Sequence, residues 1–138
     1  MAPPEPPRLK DGKRFHKAVQ EDWIETAESD GPVKVEADIT KPSGRKGRVD
    51  VLVPVEDGYR AVLEVKHTDW DRMAERNVRR NIRRHIRQVW SYIESQLAEG
   101  HDVTPGIIYS RRPTDNERRK LIEEMFEAEC ISVVWDDE

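Results

Sequence analysis

Val33, Val35, Ala37 and Ile39 alternate with Lys34, Glu36 and Asp38, the two-residue period of a half-exposed strand. Residues 48–55 and 59–66 are two richer aliphatic runs separated by Glu56-Asp57-Gly58, an Asp-Gly signal that predicts a hairpin. The period changes elsewhere. Phe15, Val19, Trp23 and Ala27 form the apolar stripe of a helix that starts at residue 9 or 13. It runs to residue 28 and stops before Asp30-Gly31-Pro32. Val78, Ile82, Ile86, Val89, Ile93 and Leu97 recur at steps of three and four through a long helix over 71–99, ended by Gly100. Residues 104–110 form a short apolar strand. Thr114-Asp115-Asn116-Glu117 has the Thr-x-x-Glu form of a capping box and opens a helix to about residue 129. Residues 131–135 are a last strand. The order α-β-β-β-α-β-α-β predicts an α/β domain with a mixed sheet flanked by helices.

Length and charge refine this picture. A chain of 138 residues has room for one sizeable core, assigned to 9–138. The prolines at 3, 4, 6 and 7 mark residues 1–8 as a disordered lead. The polar stretch 41–47 reads as a loop. Net charge is only −4, yet seven arginines fall between Arg72 and Arg87, and the chain end is acidic. A basic stripe on a mildly acidic protein points to a local polyanion site. The one cysteine, Cys130, excludes a disulfide framework and a cysteine-rich zinc site within the chain. No apolar run is long enough to span a membrane, and the start lacks a signal peptide. The expectation is a cytoplasmic protein of a reducing compartment, with delivery by a signal-independent route left open.

The candidate chemistry lies in the hairpin. Glu64 and Lys66 fall on one strand face with Val62, while Ala61, Leu63 and Val65 face the other way. Asp50 lies on the adjoining strand. Carboxylates set among aliphatic residues are costly to bury unless a cation neutralises them, and two of them suit Mg²⁺ or Mn²⁺. A cross-strand salt bridge on a solvated face is the alternative. On the first helix His16 falls on the apolar side, whereas Glu21 and Glu25 project towards water. His16 is thus a candidate third ligand or a core histidine. On the long helix, Arg72, Arg76, Arg79, Arg80, Arg83 and Arg87 form one flank, a candidate nucleic-acid-binding surface. Asn81, His85, Gln88 and Tyr92 form the other, where Gln88 and Tyr92 stand one turn apart and could position a nucleotide or the lysine.

Four segments, Gly12 with His16, Asp50, Glu64-Val65-Lys66, and Gln88-Val89-Trp90-Ser91-Tyr92, together resemble the PD-(D/E)XK nuclease superfamily and, within it, the RecB-type branch. The match covers roughly residues 12 to 110, with Val49 where the superfamily name has proline. The resemblance implies a restriction-endonuclease-like αβββαβ core plus a C-terminal helix and strand. It also implies His16, Asp50, Glu64 and the Val65 carbonyl as ligands of Mg²⁺ or Mn²⁺, Lys66 as catalytic, and Gln88 and Tyr92 as supporting the site. The implied activity is phosphodiester hydrolysis, with DNA the leading substrate, RNA the alternative, and little sequence preference. Small nuclease domains of this superfamily also serve as toxin or effector warheads. A carrier, an immunity protein or a second copy are therefore alternative partners, and a non-catalytic nucleic-acid-binding module is the rival class.

Overall fold

The computed structural model describes residues 7–26, 33–41, 43–56 and 59–138. The proline lead up to residue 6, the end of the first helix with Ala27, the Asp30-Gly31-Pro32 stop and the Asp57-Gly58 turn lie outside the described residues. The elements are α1 (Pro7–Thr26), β1 (Lys34–Thr40), β2 (Lys46–Glu56), β3 (Tyr59–Lys66), α2 (Glu75–Ala98), β4 (Asp102–Tyr109), α3 (Asn116–Glu127) and β5 (Ser132–Trp135). Their order is the expected one. α1 is described from Pro7, inside the expected lead.

One five-stranded sheet runs in the order β1-β2-β3-β4-β5. β1–β2 and β2–β3 are antiparallel hairpin pairs, and β3–β4 and β4–β5 are parallel. The parallel connections must cross over, which α2 and α3 accomplish. The sheet alternation then separates two cores. Val51, Val53, Leu63, Val65 and Ile108 meet Val19, Phe15 and Trp23 of α1 on one face. On the other face, Val78, Ile82, Val89 and Ile93 of α2 pack with Ile107, Tyr109, Ile122, Phe126 and Trp135. A smaller cluster of Ile39, Val49, Leu52 and Val62 closes around Tyr92 of α2.

The buried face of α2 differs from the aliphatic stripe. It comprises Val78, Ile82, His85, Val89, Tyr92, Ile93, Ser95 and Gln96. Polar members are therefore buried beside the aliphatic ones, and Leu97 is 49% exposed instead of buried. α2 also begins four residues later than expected. The segment before it is held as a loop by Arg118, whose guanidinium donates to the carbonyls of Trp70 (2.7 Å) and Met73 (2.8 Å). α2 ends in a Schellman motif, with Gly100 at φ +87° and the His101 N–H donating to the Gln96 carbonyl. The cap of α3 is Asp115, whose carboxylate accepts from the Glu117 N–H at 3.0 Å. Thr114 does not cap; its N–H and hydroxyl both donate to Asp71, tying the same loop to α3.

Candidate active site

The β2–β3 ladder has Val51 opposite Leu63 as its last registered pair at this end. Asp50 and Glu64 are the next residue on each strand. There the strands stop exchanging backbone hydrogen bonds in the regular pattern, and the Val65 N–H donates to Asp50 Oδ2 at 2.8 Å. Strand β2 is distorted at this position. Val49 packs with Ile39 and Tyr92, whereas Val51 packs on the opposite face with Val53. On β1, Glu36 opposite has φ +47°. The irregularity leaves the Asp50 side chain between α1 and β3 instead of flat on one face.

Asp50 joins the other candidate groups. His16 Nδ1–H donates to the Gly12 carbonyl at 2.9 Å, one turn back on α1. This fixes the ring so that Nε2 points to Asp50 Oδ2 at 3.6 Å, the nitrogen that a neutral imidazole would offer to a metal. Gln20, one turn further along α1, donates from Nε2 to the Asp50 carbonyl at 3.1 Å. Sequence reasoning missed Gln20, although its four-residue step from His16 was a usable signal.

Glu64 is 4% exposed, and among the described residues its Oε2 has no hydrogen-bond partner. Burial, then the neighbouring Asp50 carboxylate, push its carboxyl well above the ordinary range. Burial would raise Asp50 too, but hydrogen bonds with His16, Glu64 and the Val65 N–H outweigh it and hold Asp50 below its usual value. The pair therefore shares one negative charge, as adjacent carboxyls in a low-dielectric site must. His16 is raised by its bond to Asp50, against its burial.

Gln88 Nε2 donates to the Tyr92 hydroxyl at 3.0 Å. Burial, then the neighbouring Glu64–Asp50 carboxyl pair, push that phenol up to about 12, so it stays protonated and faces the acid. The structure thus places Tyr92, with Gln88 on its hydroxyl, beside Glu64. Lys66 ends β3, two residues beyond Glu64, with its carbonyl accepting from the Ser110 N–H at 3.1 Å. Beyond it lies a pair that composition did not reveal. His85 Nδ1 and the Tyr109 hydroxyl are 2.7 Å apart in the core, and burial with the charges of Lys66 and Arg84 lowers His85 to about 3.

Among the described residues, no three His, Cys, Asp or Glu side chains already form a closed metal-ligand group. His16, Asp50 and Glu64 are instead linked in series through Asp50. The donor set nonetheless fits a hard divalent cation. Two oxygens-only ligands share a charge too few, and one buried carboxyl oxygen lacks any partner.

The six flank arginines do not converge on this group. All are exposed. Arg79 reaches Met125 of α3, and Arg83 and Arg87 line an open cleft of about 420 Å³ with Ile86, Met125, Ala128 and Glu129. Arg72 pairs with Asp69 at 3.4 Å. Arg79, Arg83 and Arg87 thus lie on the α3 side of α2, whereas Arg72 stands in the segment before the helix.

Comparison with solved structures adds to this. The small subunit (R.BspD6I2) of the heterodimeric restriction endonuclease R.BspD6I superposes with a TM-score of 0.51, at 14% identity, over 90% of this chain. The fold is restriction-endonuclease-like. The chain spans 63% of that subunit's length. No protein-family model and no curated protein sequence matches it. No described helix is long and apolar enough to cross a membrane.

Proposed function

We propose that this chain is a divalent-metal-dependent nuclease that hydrolyses phosphodiester bonds in DNA, of the RecB-type branch of the PD-(D/E)XK superfamily. The observation that carries the reading is the partnerless Oε2 of Glu64, buried beside Asp50 where the β2–β3 ladder opens, with Lys66 two residues on. A buried carboxyl with a free oxygen is an expensive feature unless function requires it.

Asp50 and Glu64 would hold Mg²⁺ or Mn²⁺ by their oxygens, with His16 Nε2 and the Val65 carbonyl completing the set. When bound, the ion supplies Lewis acidity and positive charge against the phosphate. The chain's own groups do the rest. The Val65 N–H and Gln20 fix Asp50 from two sides, so its carboxylate is aimed before substrate arrives. The Gly12 carbonyl sets the His16 tautomer. The Tyr92 hydroxyl, held by Gln88, orients Glu64. The Lys66 ammonium stabilises charge that develops on the attacked phosphate, or holds the water that attacks it. Contacts of this kind position the backbone and read no bases, so cleavage shows little sequence preference.

Incubation of plasmid and linear DNA with Mg²⁺ or Mn²⁺ tests the reading. Cleavage is expected from the wild-type chain, stopped by EDTA and reduced at least about 100-fold in Glu64→Ala and in Lys66→Ala. Cleavage that persists in EDTA or in either variant overturns it.

A further inference from the structure

The hairpin turn between β1 and β2 carries a second feature that the carboxylate site does not use. Residues 41–48 contain Lys41, Arg45, Lys46 and Arg48 and no acidic residue. Residue 42 lies outside the described residues. The Lys41 N–H donates to the Arg45 carbonyl and the Gly44 N–H to the Lys41 carbonyl, each at 2.8 Å, with Gly44 at φ +85°. Glycine meets that left-handed position without a Cβ clash.

Arg48 is 3.6 Å from Asp38. Among the described residues, no carboxylate pairs with Lys41, Arg45 or Lys46. Lys41 is half-buried and its ammonium sits 5.7 Å from the centre of the Tyr92 ring, the ring whose hydroxyl faces Glu64. Its stem crosses Gly47: a Cβ there would come within 2.8 Å of Lys41 Cε. The glycine that opens Gly47-Arg48-Val49-Asp50 thus leaves space for a lysine aimed at the site. Arg45 and Lys46 are exposed at the tip. Lys46 stands four strand rises from Asp50, about 13 Å, a distance that a nucleic-acid backbone bridges within a few nucleotides.

We propose that this turn is a phosphate grip, in which Lys41, Arg45 and Lys46 contact the sugar–phosphate backbone next to the scissile bond. The proposal rests on the nuclease reading and deepens it. It places the substrate track along β1–β2 and Tyr92, and not along the α3 side of α2 where Arg79, Arg83 and Arg87 lie. Lys41 is the inner contact, and Arg45 and Lys46 hold phosphates further along.

The test is binding of a 20-base-pair duplex in EDTA, followed by fluorescence anisotropy across a range of salt concentrations. Each lost phosphate contact lowers the log–log salt slope by about 0.9 and, at 0.1 M salt, weakens binding about eightfold. Lys41→Met keeps the packing over Tyr92 and Gly47 without the charge, and is expected to lose about 0.9 in slope. Arg45→Ala with Lys46→Ala is expected to lose about 1.8. Lys120→Ala, on the exposed side of α3, removes the same charge remote from the turn and keeps the slope. Melting temperatures of all variants establish that each is folded. Hairpin variants that keep the wild-type slope overturn the grip, as does a wild-type chain that binds no duplex. Because the slope is read without metal, it separates the two claims. Cleavage with unchanged hairpin slopes overturns the grip alone, and hairpin-dependent binding without cleavage overturns the nuclease reading alone.

Discussion

Replacing Glu64 by glutamine should make the metal-free protein more stable. Glu64 is 4% exposed beside Asp50, and burial and that neighbour raise its carboxyl far above the unfolded value. A group with a raised folded pKa keeps its full contribution below the unfolded pKa, near 4.5, and loses it as pH rises towards the folded value. Between pH 7 and 8.5 the folded chain still holds a proton that the unfolded chain has released. Stability therefore falls with pH, by at most about 1.4 kcal/mol per unit for one full proton. For a domain of this size that is about 5 °C per pH unit. His16, also raised, adds a slope of the same sign, so the informative quantity is the difference between the two proteins. His85, held low, contributes no slope in this window. Glutamine keeps a neutral donor towards Asp50 and has nothing to ionise. Thermal melts in EDTA should show Glu64→Gln melting higher than wild type at pH 7, with the gap widening towards pH 8.5. A variant that melts lower, or a gap that does not grow with pH, refutes the shared-charge description of Asp50 and Glu64.

Three further outcomes follow from single contacts. Gln20→Ala removes the donor to the Asp50 carbonyl; kcat/KM for DNA should fall about 10- to 100-fold while stability changes by only about 1 kcal/mol. Tyr109→Phe strands the buried His85 nitrogen and should lower unfolding free energy by about 1–3 kcal/mol in a urea titration. Burial holds His85 near 3, so its unfolded form takes up a proton below pH 6.5 and stability is lost as pH falls. His85→Phe should flatten that acid limb between pH 6.5 and 4, and an unchanged limb would count against a buried neutral imidazole.

The element order was readable because each periodic run is long and its period unambiguous. Where the reading failed, a tertiary contact had replaced a local rule. The helix over 71–99 starts late because Arg118 and Thr114 claim the backbone and side chain of the preceding loop. Leu97 is exposed because the packed line runs through His85, Tyr92 and Gln96, which hydropathy does not mark. The meeting of His16 with Asp50 was legible from helix projection and strand order, since both are local geometry. Gln20, one turn beyond His16, carried the same signal and was missed. Lys41 over Tyr92 and His85 with Tyr109 were not legible, because no period in the sequence encodes either pairing.

A crystal grown with Mn²⁺ and measured for anomalous scattering tests the central claim most directly. The account predicts one strong peak bounded by Asp50, Glu64 and His16 Nε2, absent from crystals of Glu64→Ala. A peak at some other place on the molecule, or none at a concentration that supports DNA cleavage, would contradict it.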